Sequence, residues 1–213
     1  MAAVAAASGG SWRQLGRLAP QHCVLFLCDV QERFRATIHA MPHVVASSAL
    51  LCKAGRVMEL PLVTTEQYPK ALGSTVREID TGAGPVFAKT RFSMLTPEVE
   101  AHLASLGPER RQAIVYGIEA HVCVYQSCMD LLERGWQVHV VADAVSSSRA
   151  LYRDVALQRL RQSGCFVTSA EGVLFDLMRD TSFTGFKQVS GLVKEHNAAL
   201  AALESQAPPA LLL

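Results

Sequence analysis

Short apolar runs rich in β-branched residues alternate with longer stretches of helical period from about residue 23 to about residue 180, the pattern of strands joined by crossover helices. The first run, Cys23-Val-Leu-Phe-Leu-Cys28, is apolar at every position, so both its sides need covering, as in the middle of a parallel sheet. Asp29 ends it. Pro42 suits a first helical turn, and Val45, Ala49, Cys52, Ala54 and Val57 then share an apolar face, predicting a helix that ends near Leu60. A second strand is expected over 62–65, followed by a long, polar, glycine-containing loop over 66–84. Residues 85–89 read as a short third strand. Thr96, Pro97 and Glu98 then supply an N-cap, a first-turn proline and an acidic first turn for a helix to about Leu106.

Residues 113–116 predict the fourth strand, and the segment 117–123 leads without a conventional turn into a helical pattern running to Glu133 and closed by Gly135. The fifth strand is expected over 138–142, with Asp143 at its end and the serines of 146–148 as caps for a helix over 149–162. Gly164 closes that helix. Residues 165–168 form the sixth strand, and Ser169 with Glu171 opens a helix ending near Arg179. The result is an α/β chain: six parallel strands with helices on both faces, because crossovers between parallel strands are right-handed. Residues 1–21 read as a flexible extension, 22–182 as one domain, and 183–213 as a further helix and an apolar tail.

Composition sharpens this picture at three points. Half the residues are apolar and 18% are charged, which excludes disorder and argues for an extensively buried sheet. The formal charge of +1 provides no field for nucleic acid or an anionic membrane, and no apolar run reaches the roughly 18 residues a bilayer span needs. The six cysteines are expected to stay reduced, since a chain of this size and apolarity needs no staples. The first 21 residues are Ala-rich and carry Arg13 and Arg17 with no acid, a composition shared by plain extensions and mitochondrial transit peptides. The cytoplasm is the expected compartment, with the mitochondrial matrix as the alternative.

Parallel sheets of this kind bind ligands beyond the carboxyl ends of their strands. That rule nominates Asp29, Gln31 and Phe34 after the first strand, Glu66, Gln67 and Tyr68 after the second, Lys89 after the third and residues 117–123 after the fourth. Taken singly, each has an ordinary reading: a turn aspartate, a strand-end lysine, a small buried cysteine. Together they form a chemical set. A thiol at a helix N-terminus beside an ammonium is biased toward thiolate, and a carboxylate accepts its proton. Asp29, Lys89 and Cys123 therefore make a coherent base, electrostatic stabiliser and nucleophile if their strands end around one pocket.

Three segments carry a resemblance to a known family. They are Asp29-Val-Gln31-Glu-Arg-Phe34, of the form D-x-Q-x-x-F, then Lys89-Thr-Arg-Phe92-Ser93, and Gly117-Ile-Glu-Ala-His-Val-Cys123-Val124. Over about residues 22–180 the chain resembles the isochorismatase-like cysteine hydrolases, which include nicotinamidases and carbamoyl-amide hydrolases. The resemblance implies a three-layer Rossmann-like fold with a six-stranded parallel sheet. It further implies an Asp29-Lys89-Cys123 triad that attacks a small amide through a thioester, and a cis peptide at Ile118–Glu119. The oxyanion hole would be the backbone N–H groups of Glu119 and Cys123. Relatives commonly form dimers or tetramers, so a homo-oligomer is expected.

Departures from the family pattern narrow the reading. Nicotinamidases hold a metal with an Asp-x-His cluster after the second strand, whereas this chain has no histidine between His43 and His102. No metal and no cofactor are expected. Glu66, Gln67 and Tyr68 stand there instead, and Gln31, Phe34, Gln67 and Tyr68 are the expected substrate contacts for a small amide-like molecule. Ala120-His121 replaces the family's usual Thr-Asp pair. Vinyl-ether-cleaving relatives lack the cysteine, so Cys123 favours acyl chemistry. Phosphate-binding, zinc-protease and dithiol motifs are all missing from the sequence. The competing reading is a noncatalytic interaction module that keeps the fold.

Overall fold

In the computed structural model, which describes residues 15–206, β1 (Cys23–Cys28), β2 (Leu62–Gln67), β3 (Val86–Lys89), β4 (Gln112–Ile118), β5 (Gln137–Ser146) and β6 (Phe166–Thr168) pair in parallel throughout. They form one sheet in the order β3-β2-β1-β4-β5-β6. This is the three-layer, Rossmann-like α/β architecture expected from the sequence. The chain leaves β1 in one direction across the sheet and β4 in the other, so the crevice between the carboxyl ends of β1 and β4 is a topological switch point.

Seven helices flank the sheet among the described residues: α1 (Met41–Val57), α2 (Pro69–Leu72), α3 (Pro97–Ser105), α4 (Tyr125–Glu133), α5 (Ala150–Gln162), α6 (Ala170–Met178) and α7 (Phe186–Gln206). α1 packs on β1, β4 and β5 and carries α6 and α7, while α4 and α5 pack together against β5. Every residue of β1 and β4 is buried, which accounts for their uninterrupted apolar sequences. Two predicted caps form: Thr96 Oγ1 accepts from Val99 N at 3.4 Å and Ser169 Oγ from Gly172 N at 3.1 Å. None of the described helices is long and apolar enough to cross a membrane.

Where sequence and structure differ, polar residues continue strands rather than end them. Glu66 and Gln67 belong to β2, paired in register with Ala88 and Lys89 of β3, so the expected loop begins later. Gly117 and Ile118 extend β4 and pair with Val145 and Ser146 beyond a register shift. Asp143 therefore lies inside β5, not at its end. The serines of 146–148 do not cap α5, whose N-cap is Arg149 without a side-chain bond; Ser146 Oγ instead donates to His39 O at 2.5 Å. The domain also begins earlier than residue 22. Leu18 is buried with its N–H on Asp176 at 2.8 Å, and Ala19 N donates to Gln112 Oε1 at 2.8 Å. Most of the expected extension, residues 1–14, and the apolar tail, 207–213, lie outside the described residues.

Gly117 lets β4 approach the end of β1. Its φ is +117°, and a Cβ there would stand 2.1 Å from the carbonyl oxygen of Cys28, a backbone atom that cannot swing aside. Gly191, inside α7, has nothing within 4 Å of a built Cβ. Gly117→Ala should therefore lower unfolding free energy by about 3 kcal/mol or more, and Gly191→Ala should raise it by up to about 1 kcal/mol, both read by urea denaturation.

His139 gives a pH-dependent test of the sheet. It is buried in β5, stacks on Phe166 with centroids 5.1 Å apart, and shares Nε2 with Gln137 Oε1 at 3.1 Å. Burial pushes its pKa down to about 4, against partial compensation from Asp176. The unfolded chain then binds the extra proton first, so the neutral ring's contribution is complete above about pH 6.5 and is lost as pH falls toward 4, amounting to about 3 kcal/mol. Stability of a His139→Phe variant should fall less steeply than that of the parent chain between pH 6.5 and 4.

Candidate active site

The backbone turns sharply where β1 ends. Asp29 adopts φ +51°, in the left-handed region, and its N–H reaches Thr65 O on β2 at 3.1 Å. The turn sends the carboxylate into the protein, where the residue is 1% exposed. Oδ1 accepts from Thr65 Oγ1 at 2.7 Å and Oδ2 from Lys89 Nζ at 2.6 Å, so each oxygen has a partner. A buried carboxylate requires this, because an unpaired charge in a low-dielectric interior costs several kcal/mol.

Lys89 comes from the end of β3, two strands away, and its side chain is fully buried. Besides Asp29, its ammonium donates to Gln67 Oε1 at 2.7 Å, Phe92 O at 3.0 Å and Arg91 O at 3.1 Å. Burial alone would depress this amine, but Cys28, Asp29 and Cys123 outweigh it and hold Lys89 above the usual lysine range. The ammonium is therefore a fixed positive charge, unsuited to accept a proton.

Cys123 lies in a π-type turn, Ala120–Val124, that runs on into α4. The residue is 8% exposed. Its thiol meets that of Cys28, and both sulfurs feel the Lys89 charge. Burial pushes the Cys28 thiol well up, Cys123 and Asp29 add to this, and Lys89 opposes it, so Cys28 stays protonated. The carbonyl of Cys123 accepts from Ser127 Oγ at 2.6 Å, and that oxygen accepts from Met94 N at 2.8 Å. The segment after β3 thus holds Lys89 by two carbonyls and Cys123 by an amide. The peptide Ile118–Glu119 is cis, at the position the resemblance implied. Glu119 Oε2 accepts from Ser148 N at 2.7 Å. His121 Nδ1 lies 3.0 Å from Ser147 Oγ, and its ring meets that of Tyr152 at a tilt of 35° with centroids 5.0 Å apart.

The expected substrate contacts fall into two groups. Gln31 is wholly buried and fastens the end of β2: its Oε1 accepts from Gln67 N at 2.7 Å, while Nε2 donates to Gln67 O at 3.0 Å and Gly73 O at 2.6 Å. Gln67 gives Oε1 to Lys89 and donates Nε2 to Thr90 O at 2.8 Å. Both amides are thus spent on the protein. Phe34 is partly buried against the core, and Tyr68 is 52% exposed with a left-handed backbone. Glu66 is likewise engaged, accepting from Thr75 N and Oγ1 at 2.7 and 2.9 Å. Sequence reasoning missed Thr65, Cys28 and Ser127. Thr65 leaves a signal, a hydroxyl just ahead of the polar end of its strand; Cys28 looks like any filler cysteine, and Ser127 like any helix serine. Among the described residues, no group of three His, Cys, Asp or Glu side chains is placed to hold a metal ion.

A carboxylate, a fixed ammonium and a thiol gathered at the switch point of a doubly wound sheet define a cysteine-centred site in an α/β fold. The Isochorismatase domain family profile matches residues 23–172, and the chain belongs to that family. It is 47% identical over 196 residues to the secreted isochorismatase effector Isc1 of Phytophthora sojae, covering 90% of this chain and 93% of that one. Isochorismatase domain-containing protein 2 of Xenopus laevis is 45% identical, with 87% and 90% covered. Among solved structures, the MAR1 ribonuclease of Caenorhabditis elegans superposes with a TM-score of 0.80 at 40% identity, over 84% of this chain and 92% of that one.

The buried pair sets a stability test. Asp29→Asn or Lys89→Met alone should cost about 3–5 kcal/mol in urea denaturation, because each strands its partner's charge in the interior. Asp29→Asn combined with Lys89→Met should cost clearly less than the sum of the two.

Proposed function

We propose that this protein is a cysteine hydrolase of a small amide or related C–N acyl bond, acting through a thioester on Cys123. The observation that carries the reading is the Asp29–Lys89 pair at 2.6 Å, fully withdrawn from water and electrostatically coupled to the Cys123 sulfur. Such a pair supplies a proton acceptor whose charge is held in place, next to a nucleophile that needs deprotonation.

In this mechanism Asp29 takes the thiol proton and the sulfur attacks the substrate's carbonyl carbon. The backbone N–H groups of Glu119 and Cys123 receive the developing oxyanion. Collapse breaks the C–N bond, and the nitrogen leaves with the proton from Asp29. Water then attacks the thioester, gives a proton to Asp29 and releases the carboxylic acid, and the proton returns to the sulfur. Lys89 does not exchange protons; it keeps the negative charge of Asp29 and sulfur tolerable in a dry site. Because Gln31 and Gln67 are occupied by the protein, Phe34 and Tyr68 remain as the expected side chains for substrate contact.

A second reading follows from the relative named as a ribonuclease, namely phosphodiester cleavage. Against it, the formal charge of +1 gives this chain no long-range attraction for a polyanion.

Limiting iodoacetamide should modify Cys123 before the other five cysteines, with adduct positions read by peptide mass spectrometry. Asp29→Asn should slow that labelling by about tenfold or more. In a broad screen of small amides, turnover should fall by about three orders of magnitude or more in Cys123→Ala. Even labelling across all six cysteines together with no amide turnover would overturn the hydrolase and leave the noncatalytic module. RNA cleavage that survives Cys123→Ala would favour phosphodiester chemistry instead.

A further inference from the structure

A cavity of about 380 Å³ opens between the start of α1, the bulged part of β5, the start of α5 and the end of α7. None of the residues assigned to the hydrolase site lines it. Its size falls in the range of small-molecule pockets. Ser47 and His43, on one face of α1, line the cavity, and Ser47 Oγ and His43 Nδ1 are buried without a hydrogen-bond partner among the described residues. Ser47 is completely buried. Buried polar atoms left unmet carry a desolvation penalty that a hydrogen-bonding partner would relieve.

Charge decides what kind of partner fits. Asp143 lies in the bulge of β5, with Oδ1 accepting from Ala170 N at 2.8 Å, and Asp154 and Glu204 line the same cavity from exposed positions on α5 and α7. Among the described residues that line it, Arg153 carries the permanent positive charge and is already committed. Its Nε donates to Val145 O at 3.0 Å, Nη2 to Ala142 O at 2.5 Å and Nη1 to Asp154 Oδ1 at 3.1 Å. Burial raises the Asp143 carboxyl's pKa, and His196 and Arg153 offset this only in part, so a further cation would favour its charged form. Val44, Val145 and Leu200 supply aliphatic wall between the buried and exposed acceptors. An anion would meet three carboxylates here against the single guanidinium of Arg153, and a neutral ligand would leave the surplus negative charge unmet.

We propose that this cavity binds a short aliphatic diamine, one ammonium lying against Asp143, Ser47 and His43 and the other toward Asp154 and Glu204. The three inner groups offer an acceptor for each proton of a primary ammonium, and a chain of a few methylenes matches the apolar wall. The proposal does not depend on the hydrolase reading.

The test uses the full chain, isothermal titration and amide chemical shifts, with 1,4-diaminobutane as probe and butane-1,4-diol as its uncharged counterpart. The diamine should bind with one-to-one stoichiometry, shift the amides of Ser47 and Asp143, and bind about tenfold or more tightly than the diol. Asp143→Asn should weaken it by about tenfold or more, and Cys123→Ser should leave it unchanged. Should Asp143→Asn not fold, Asp154→Asn combined with Glu204→Gln, both at exposed positions, carries the test: it should weaken the diamine and spare n-butylamine. Equal binding of the diol, shifts centred on Asp29 and Cys123, indifference to the acidic substitutions, or no binding at millimolar diamine would each overturn the proposal.

Discussion

The ion pair between Asp29 and Lys89 constrains the rest of this molecule. Two opposite charges with almost no exposure survive in an interior only when every oxygen and proton is met, and here the partners come from β1, β2, β3 and the segment after β3. That requirement explains why the polar positions in this region are so specific. Thr65 satisfies the second carboxylate oxygen, Gln67 and two main-chain carbonyls complete the ammonium, and the strand ends must converge to bring them within reach.

The convergence rests on the order of the sheet. Because β1 and β4 are neighbours with outward-running crossovers, their carboxyl ends flank a crevice, and a sharp turn stands on each side of it. On one side the turn is made by Asp29 in a left-handed conformation; on the other, Gly117 passes so close to Cys28 that no side chain fits. Cys123 follows six residues later, in a widened helical turn. Fold and site are thus specified by the same few residues.

Much of this was legible in the sequence, for physical reasons that can be named. Continuous apolar runs such as 23–28 disclose buried parallel strands, and Thr96 and Ser169 disclose helix starts, because these signals are local. The meeting of Asp29, Lys89 and Cys123 was accessible through the rule that strand ends cluster, together with the family resemblance. Less legible were the polar side chains that serve a distant part of the chain. Gln31 and Gln67 look like ligands because they are amides at strand ends, yet their partners lie 36 and 22 residues away, at Gln67 and Lys89. Similarly, Asp143 looks like a strand terminator and Ser146 like a helix cap, but the bulge carries β5 past Asp143 and on to Ser146.

The carboxamides of Gln31 and Gln67 also have a mechanical meaning. Asp29 and Gln31 belong to one short stretch of chain; Asp29 grips Lys89, Lys89 grips Gln67, and Gln67 is gripped in turn by Gln31. These contacts close a ring that begins and ends within three residues. A four-residue border strand would ordinarily be the part of a sheet most prone to breathe, yet the amine it delivers is indexed to the acid from both directions. Thermal fraying at that margin would carry the whole ring along as a unit, and the distance between the two charges would be the last thing to change.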